Sequence, residues 1–119
     1  MSNVIEWVLE MNVQEGQAAM VQPLLDEMVK ATQANEPGAL HYEYYMPEDR
    51  STCTVLERYA DNAAVMTHLG NFGAKFADRF LTAFTPVRFT VYGSANDEVM
   101  SALAGYGATN QKLVSGFSR

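Results

Sequence analysis

The side chains in this sequence whose type and setting could do chemistry are few: His68, Glu57, Cys53 and His41. His68 falls beside Val65 and Leu69 on the apolar stripe of a helical segment, where the pattern calls for a hydrophobe. A neutral imidazole in that place can act as a general base near pH 7. The position equally suits a core histidine satisfied by one backbone hydrogen bond. Glu57 shares one side of an alternating run with Val55 and Tyr59, so if that side is the core, its carboxyl is desolvated and its pKa rises. The competing role is structural, in a network with Arg58, Arg88 or a tyrosine hydroxyl. Cys53 lies on the same side and reads as a small buried hydrophobe, with no histidine beside it in sequence to activate a thiolate. His41 sits on an exposed hairpin strand, where no role is assigned to it.

Seven methionines, and Phe72, Phe76, Phe80 and Phe84 at intervals of four, offer a soft, polarizable interior. Such an interior can enclose a flat organic ligand or simply be core. Trp7, in the middle of the first strand, buries a large area either way. The sequence holds no G-x-G-x-x-G, P-loop, G-x-S-x-G, H-E-x-x-H or C-x-x-C, the signatures of dinucleotide, triphosphate, hydrolase and zinc sites. Its two histidines lie on different elements without a carboxylate at metal spacing, so no metal site is expected.

Positioning these residues falls to a regular series of elements. Val4 to Val13 alternates with a period of two, predicting a strand with Ile5, Trp7, Leu9 and Met11 on one side. After Gln14-Glu15-Gly16, the residues Met20, Val21, Leu24, Leu25, Met28, Val29 and Thr32 mark one face of a helix running to about Asn35. Pro23 either lies a turn inside that helix or bends it. Glu36-Pro37-Gly38 stops it. Ala39 to Met46 and Thr52 to Tyr59 predict an antiparallel hairpin about Pro47-Glu48-Asp49-Arg50. Asp61 caps a short helix that Gly70-Asn71 interrupts, and the phenylalanine stripe predicts a further helix ended by Pro86. Val87 to Tyr92 reads as a fourth strand, Ala95 to Ala104 as a helix capped by Asn96 with Val99, Ala102 and Leu103 inward, and Gly105 to Arg119 as a tail.

Strand, helix, two strands, helix, strand is the order of the split βαβ, ferredoxin-like arrangement, an α+β fold with a four-stranded antiparallel sheet and helices on one face. Residues 1–94 form that unit, and residues 95–119 are expected to pack on it or on a partner subunit. The hairpin strands carry apolar or aromatic residues on both sides, with Tyr42, Tyr44 and Met46 alternating with His41, Glu43 and Tyr45 and with Leu56 between Val55 and Glu57, so the uncovered sheet face is expected to meet a second copy in a homodimer.

The composition fits one soluble domain of 119 residues, with 48% hydrophobic and 18% charged residues. A formal charge of -6 and the lack of any basic run repel a phosphate backbone, so nucleic acid is not an expected partner. No apolar run approaches a membrane span, and one cysteine with an N-terminus lacking a basic, apolar leader points to a reduced, cytoplasmic setting.

Three segments in order, Glu36-Pro37-Gly38-Ala39-Leu40-His41-Tyr42-Glu43, then Val55-Leu56-Glu57-Arg58-Tyr59-Ala60-Asp61, then His68-Leu69, resemble the antibiotic biosynthesis monooxygenase family. That family opens its second strand with E-P-G-x-x-x-Y-E, closes its third with L-x-E-x-W/Y-x-D/S and carries an A-H-L-like segment on the next helix. The resemblance spans about residues 4–94, and Gly116-Phe117-Ser118-Arg119 is similar to the ending of one branch. It implies a ferredoxin-like protomer in a dimeric α+β barrel, with a ligand cavity between helices and sheet. Several members are oxygenases of phenols or quinols that need no cofactor, because a deprotonated phenol can give an electron directly to dioxygen.

Carried over by position, the resemblance makes His68 the base and has Trp7, Tyr42, Glu57 and Phe72 line or polarise the site for a small aromatic ligand. Haem-degrading relatives place Asn, Trp and His where this chain has Leu9, His68 and Phe76, so haem degradation is not implied. Other relatives carry a second histidine where this chain reads Asn71-Phe72-Gly73, which weakens transfer of a two-histidine or isomerase mechanism. The expected function is cofactor-independent oxygenation of a quinol or phenol. A noncatalytic ligand-binding dimer and an isomerase of a small oxygenated metabolite stand as alternatives.

Overall fold

Alternation along the first strand, β1 (Ile5–Val13), does what a period of two requires: Ile5, Trp7, Leu9 and Met11 are buried while Glu6, Glu10 and Asn12 face out. In the computed structural model, which describes residues 2–119, β1 is central to a sheet with β2 (Ala39–Tyr45), β3 (Thr52–Tyr59), β4 (Phe84–Gly93) and β5 (Thr109–Gln111). The order is β2-β3-β1-β4-β5. The first four strands pair antiparallel, as in the expected ferredoxin-like unit. The sheet is nevertheless five-stranded and mixed, because β5 adds parallel to β4 through Thr90–Thr109 and Val91–Asn110. Three residues show no period to betray such a strand. Asn110 Nδ2 fixes it by donating to the carbonyls of Val91 at 2.9 Å and Gly93 at 3.2 Å.

Helices cover one face. α1 (Ala18–Asn35) presents Val21, Leu24, Leu25, Met28 and Thr32 to the sheet, carries Pro23 inside it and leaves Met20 exposed. α2 (Asn62–Lys75) starts at Asp61, whose side chain accepts the Ala64 N–H. It runs through Gly70-Asn71 without the expected interruption. A single glycine costs a helix only about 1 kcal/mol, and the Asn71 side chain is used in a tertiary hydrogen bond described below.

The chain breaks instead at Phe76, which ends α2 and precedes α3 (Ala77–Ala83). The four phenylalanines are therefore not one helical stripe: Phe72 is on α2, Phe80 on α3 and Phe84 in β4. Thr85 stands before Pro86 and is disfavoured in helix, so the strand begins ahead of the proline. Pro86 lacks a donor and sits at the irregularity where Glu10 pairs with Arg88 and Met11 with Pro86, skipping Val87.

The C-terminal part packs on the same unit. α4 (Asp97–Leu103), capped by Asn96, buries Val99 and Leu103 but leaves Ala102 exposed, and a 3₁₀ turn follows at Ala104–Tyr106. The last residues run back from the β5 edge to β3, where Arg58 Nη2 donates to Ser118 Oγ at 3.2 Å on the face away from the helices. At the α1–β2 junction, a Cβ placed on Gly38 would lie 2.6 Å from the Cβ of Ala64 in α2. No helix among the described residues is long and apolar enough to cross a membrane.

Candidate functional site

Strand register brings Trp7, Glu57 and Tyr42 into one row on the helix-covered face, since Trp7 pairs with Glu57 across β1 and β3, and Glu57 with Tyr42 across β3 and β2. Alternation then puts Cys53, Val55 and Tyr59 on the buried side with Glu57. Trp7 Nε1 donates to Glu57 Oε2 at 2.6 Å, and Tyr59 Oη donates to Glu57 Oε1 at 2.5 Å. Tyr42 and Tyr44 share a hydrogen bond of 2.7 Å between their hydroxyls.

His68 reaches down from α2 onto this row. Its ring lies 5.3 Å from that of Tyr42 and 5.1 Å from that of Tyr59, with Phe72 stacked at 6.3 Å. Nδ1 lies 2.9 Å from Glu36 Oε1, while Nε2 faces Glu57 Oε1 at 3.4 Å. Glu36 Oε2 accepts from Asn71 Nδ2 at 3.2 Å. Glu36, Glu57 and His68 are each only 5–6% exposed, and every buried side-chain polar atom among the described residues has a partner.

The electrostatics follow from that enclosure. Burial works against a charged imidazole, but the Glu36 hydrogen bond and the negative charges of Glu57 and Glu36 outweigh it, so His68 holds its proton above the ordinary 6.5. Burial likewise raises Glu36, yet the hydrogen bond and charge of His68, with Asn71, bring it below 4.5. For Glu57, burial prevails over His68, Tyr59 and Trp7, and its carboxyl titrates higher than usual. Tyr42, Tyr44 and Tyr59 are all pushed up by burial and stay protonated. Cys53 is pushed up to about 11 by burial, which leaves it a thiol. His41 is on the other face, paired with Glu43 at 2.8 Å.

Trp7, Tyr42, Glu57, His68 and Phe72 line one inner cavity, otherwise walled by Leu9, Leu69, Phe80, Phe89 and Tyr44. Leu103 and Tyr106 close it from the C-terminal extension. About 40 Å³ is open to the centres of water molecules, room for a few waters. A second, polar cleft of about 130 Å³ lies beyond His68, between α1 and α2. Among the described residues no group of three or more His, Cys, Asp or Glu is arranged to hold a metal ion.

Sequence reasoning missed Glu36, Asn71 and Tyr44. Glu36 reads as part of a helix stop and Asn71 as a helix breaker. The available signal was the position of Glu36 at the end of an apolar face, one residue after which Pro37 fixes the chain.

A family model for antibiotic biosynthesis monooxygenases matches residues 5–83. The chain belongs to that family. Its fold is shared with the solved structure of MupZ from Pseudomonas fluorescens at a TM-score of 0.86 and 21% identity, covering 100% of this chain and 91% of that one. SnoaB from Streptomyces nogalater, described as a cofactor-independent oxygenase, aligns at a TM-score of 0.65 and 15% identity over 80% of this chain and 96% of its own. Rv0793 from Mycobacterium tuberculosis gives 0.59 and 23%, over 79% and 97%. At such identities the likeness is one of fold. The MupZ alignment takes in the C-terminal extension, whereas the other two leave about a fifth of this chain unmatched. No curated protein sequence matches the chain.

Proposed function

We propose that this protein is a cofactor-independent monooxygenase of phenolic or quinol substrates, in which His68 and Glu57 together take the substrate's proton. The observation that carries this reading is a buried histidine between two carboxylates on the wall of an otherwise apolar cavity. Family membership and the fold shared with SnoaB support it. A phenolate passes one electron to dioxygen, and the radical pair combines into a ring hydroperoxide. Loss of water leaves the quinone, so phenol and O2 give quinone and H2O with no outside reductant. The protein's tasks are to hold the proton, exclude water and orient the ring. Tyr42, Trp7 and Phe72 shape the pocket. A two-ring phenol exceeds the present void, so binding moves Phe72 or the Leu103–Tyr106 closure.

One observation favours a second reading. His68 lies between two carboxylates that raise its pKa above the ordinary value, and a protonated imidazole beside a carboxylate is a paired acid and base. That pair suits an isomerase of a small oxygenated metabolite, with no oxygen consumed. Oxygen uptake by the purified protein against naphthols and hydroquinones, with thermal shift on the same panel, separates the two. Uptake above autoxidation that disappears in His68→Ala supports the oxygenase. A thermal shift without uptake moves the assignment to the isomerase or to a noncatalytic ligand-binding protein.

A homodimer through the outer sheet face belongs to the same proposal, since Tyr45, Val87, Val114 and Phe117 are exposed. Light scattering at twice the chain mass is the expected result, and a monomer mass would remove it.

A further inference from the structure

His68, Phe72 and Lys75 stand at i, i+4 and i+7 on α2, in line along one face of the helix. His68 and Phe72, with Tyr42 from β2, separate the inner cavity from the polar cleft, and Lys75 lines the cleft. Two of the three side chains in that partition are anchored by polar contacts: His68 by Glu36 and Glu57, and the Tyr42 hydroxyl by Tyr44. Phe72 has ring contacts alone. It is half-buried, edge-on to Phe80 at 5.1 Å and stacked on His68 at 6.3 Å, toward the far end of the range of about 4.5–7 Å for aromatic pairs. It is therefore the wall that moves most easily, and its ring already fills a slot for a flat aromatic group on the face of the imidazole.

The inner cavity holds about 40 Å³, whereas a void that takes up benzene is about 150 Å³. The adjoining cleft offers about 130 Å³. Of the carboxylate and the ammonium on the cleft wall, Glu36 is engaged by His68 and Asn71, whereas Lys75 makes no ion pair among the described residues. Across the cleft on α1, Asn35 has an amide hydrogen left after the one it gives to the Ala31 carbonyl.

We propose that the substrate is a phenol with a carboxylate arm, whose ring displaces Phe72 from the imidazole and whose carboxylate meets Lys75 in the cleft. The inference rests on reading the inner cavity as the place where a phenolic O–H meets His68 Nε2 and Glu57. At 1.5 Å per residue, His68 and Lys75 are about 10 Å apart along α2, the reach of a phenol with a three-carbon acid arm. Phe72 is then the gate and the placeholder for the substrate ring, and Lys75 selects the acid.

The test is calorimetric titration of the full chain with 4-(4-hydroxyphenyl)butanoate and with its neutral amide, which needs no turnover. The acid is expected to bind about fivefold tighter than the amide, the upper end for an ion pair at a solvated rim. Lys75→Met, at an exposed position, brings the two compounds within twofold of each other and leaves the affinity for the amide unchanged. Phe72→Ala tightens both at least threefold with their ratio retained, because no ring has to be moved aside. Phe72→Leu acts in the same sense and serves if Phe72→Ala does not fold. Equal binding of acid and amide, a preference that survives Lys75→Met, unchanged or weaker binding in the Phe72 variants, or no binding of either compound overturns the inference. Oxygen uptake is read separately: acid-selective binding without uptake keeps the subsite and drops the oxygenase, and uptake with naphthols without acid selectivity does the opposite.

Discussion

Trp7 and Glu57 stand directly opposite one another on β1 and β3, and the indole N–H closes on the carboxylate at 2.6 Å inside the core. A buried carboxylate that loses a donor costs about 1–3 kcal/mol. Trp7→Phe keeps an aromatic ring against Tyr59 and Phe89 and removes only the donor and part of the ring area. The melting temperature is expected to fall by several degrees, and the Glu57 carboxyl to titrate higher still. Calorimetry and carboxyl NMR check the two parts.

His68→Ala is expected to be more damaging than an ordinary truncation, because it leaves Glu36 and Glu57 buried without their cation. Breaking a buried pair in this way costs about 3–5 kcal/mol. Adding Glu57→Gln to the same chain should recover part of the loss. Urea denaturation of the single and double variants gives the coupling, and strictly additive effects would show that the two side chains do not interact.

Stability should depend on pH in a way the three groups dictate. His68 binds its proton more tightly when folded, so its contribution is complete below pH 6.5 and is lost as pH rises through the folded value. Glu36 behaves oppositely: its contribution is present above pH 4.5 and is lost as pH falls through the lowered folded value. Glu57 is raised, so it opposes folding as pH climbs through its folded value and costs nothing below 4.5. The melting temperature is therefore expected to peak in mildly acid solution. Glu36→Gln should flatten the acid limb, and an unchanged limb would remove Glu36 as its cause.

Leu103 is 2% exposed and belongs to the extension that closes the inner cavity. Leu103→Ala is expected to cost about 2–5 kcal/mol and to widen the void. 1-Naphthol should then give a larger thermal shift than with the unaltered chain. A smaller shift would mean that the extension grips the ligand instead of obstructing it.

Much of this architecture was legible because strands advertise themselves by alternation. The burial of Trp7, Cys53, Val55, Glu57 and Tyr59 follows from a period of two, and that of Val65 and His68 from helical spacing. What escaped depended on distant parts meeting. Glu36 looks like helix punctuation until α2 is laid across the end of α1, and Asn71 looks like a breaker until its amide finds Glu36. Phe84 fits a helical interval of four, yet Val13 claims it as a strand partner. β5 has no pattern of its own and exists because the β4 edge accepts it.

Gly38 has a bearing on all of this that reaches past the turn it makes. Ala64 and His68 lie one turn apart on the same side of α2, and the Ala64 methyl rests where a Gly38 methyl would go. The missing carbon works as the gauge that sets how low the helix rides over the sheet. Fitting it back with Gly38→Ala would wedge the first turn of α2 outward and lift the imidazole off Glu36. The reach of an acid–base pair is thus calibrated by a residue that hydrogen-bonds to neither member of it.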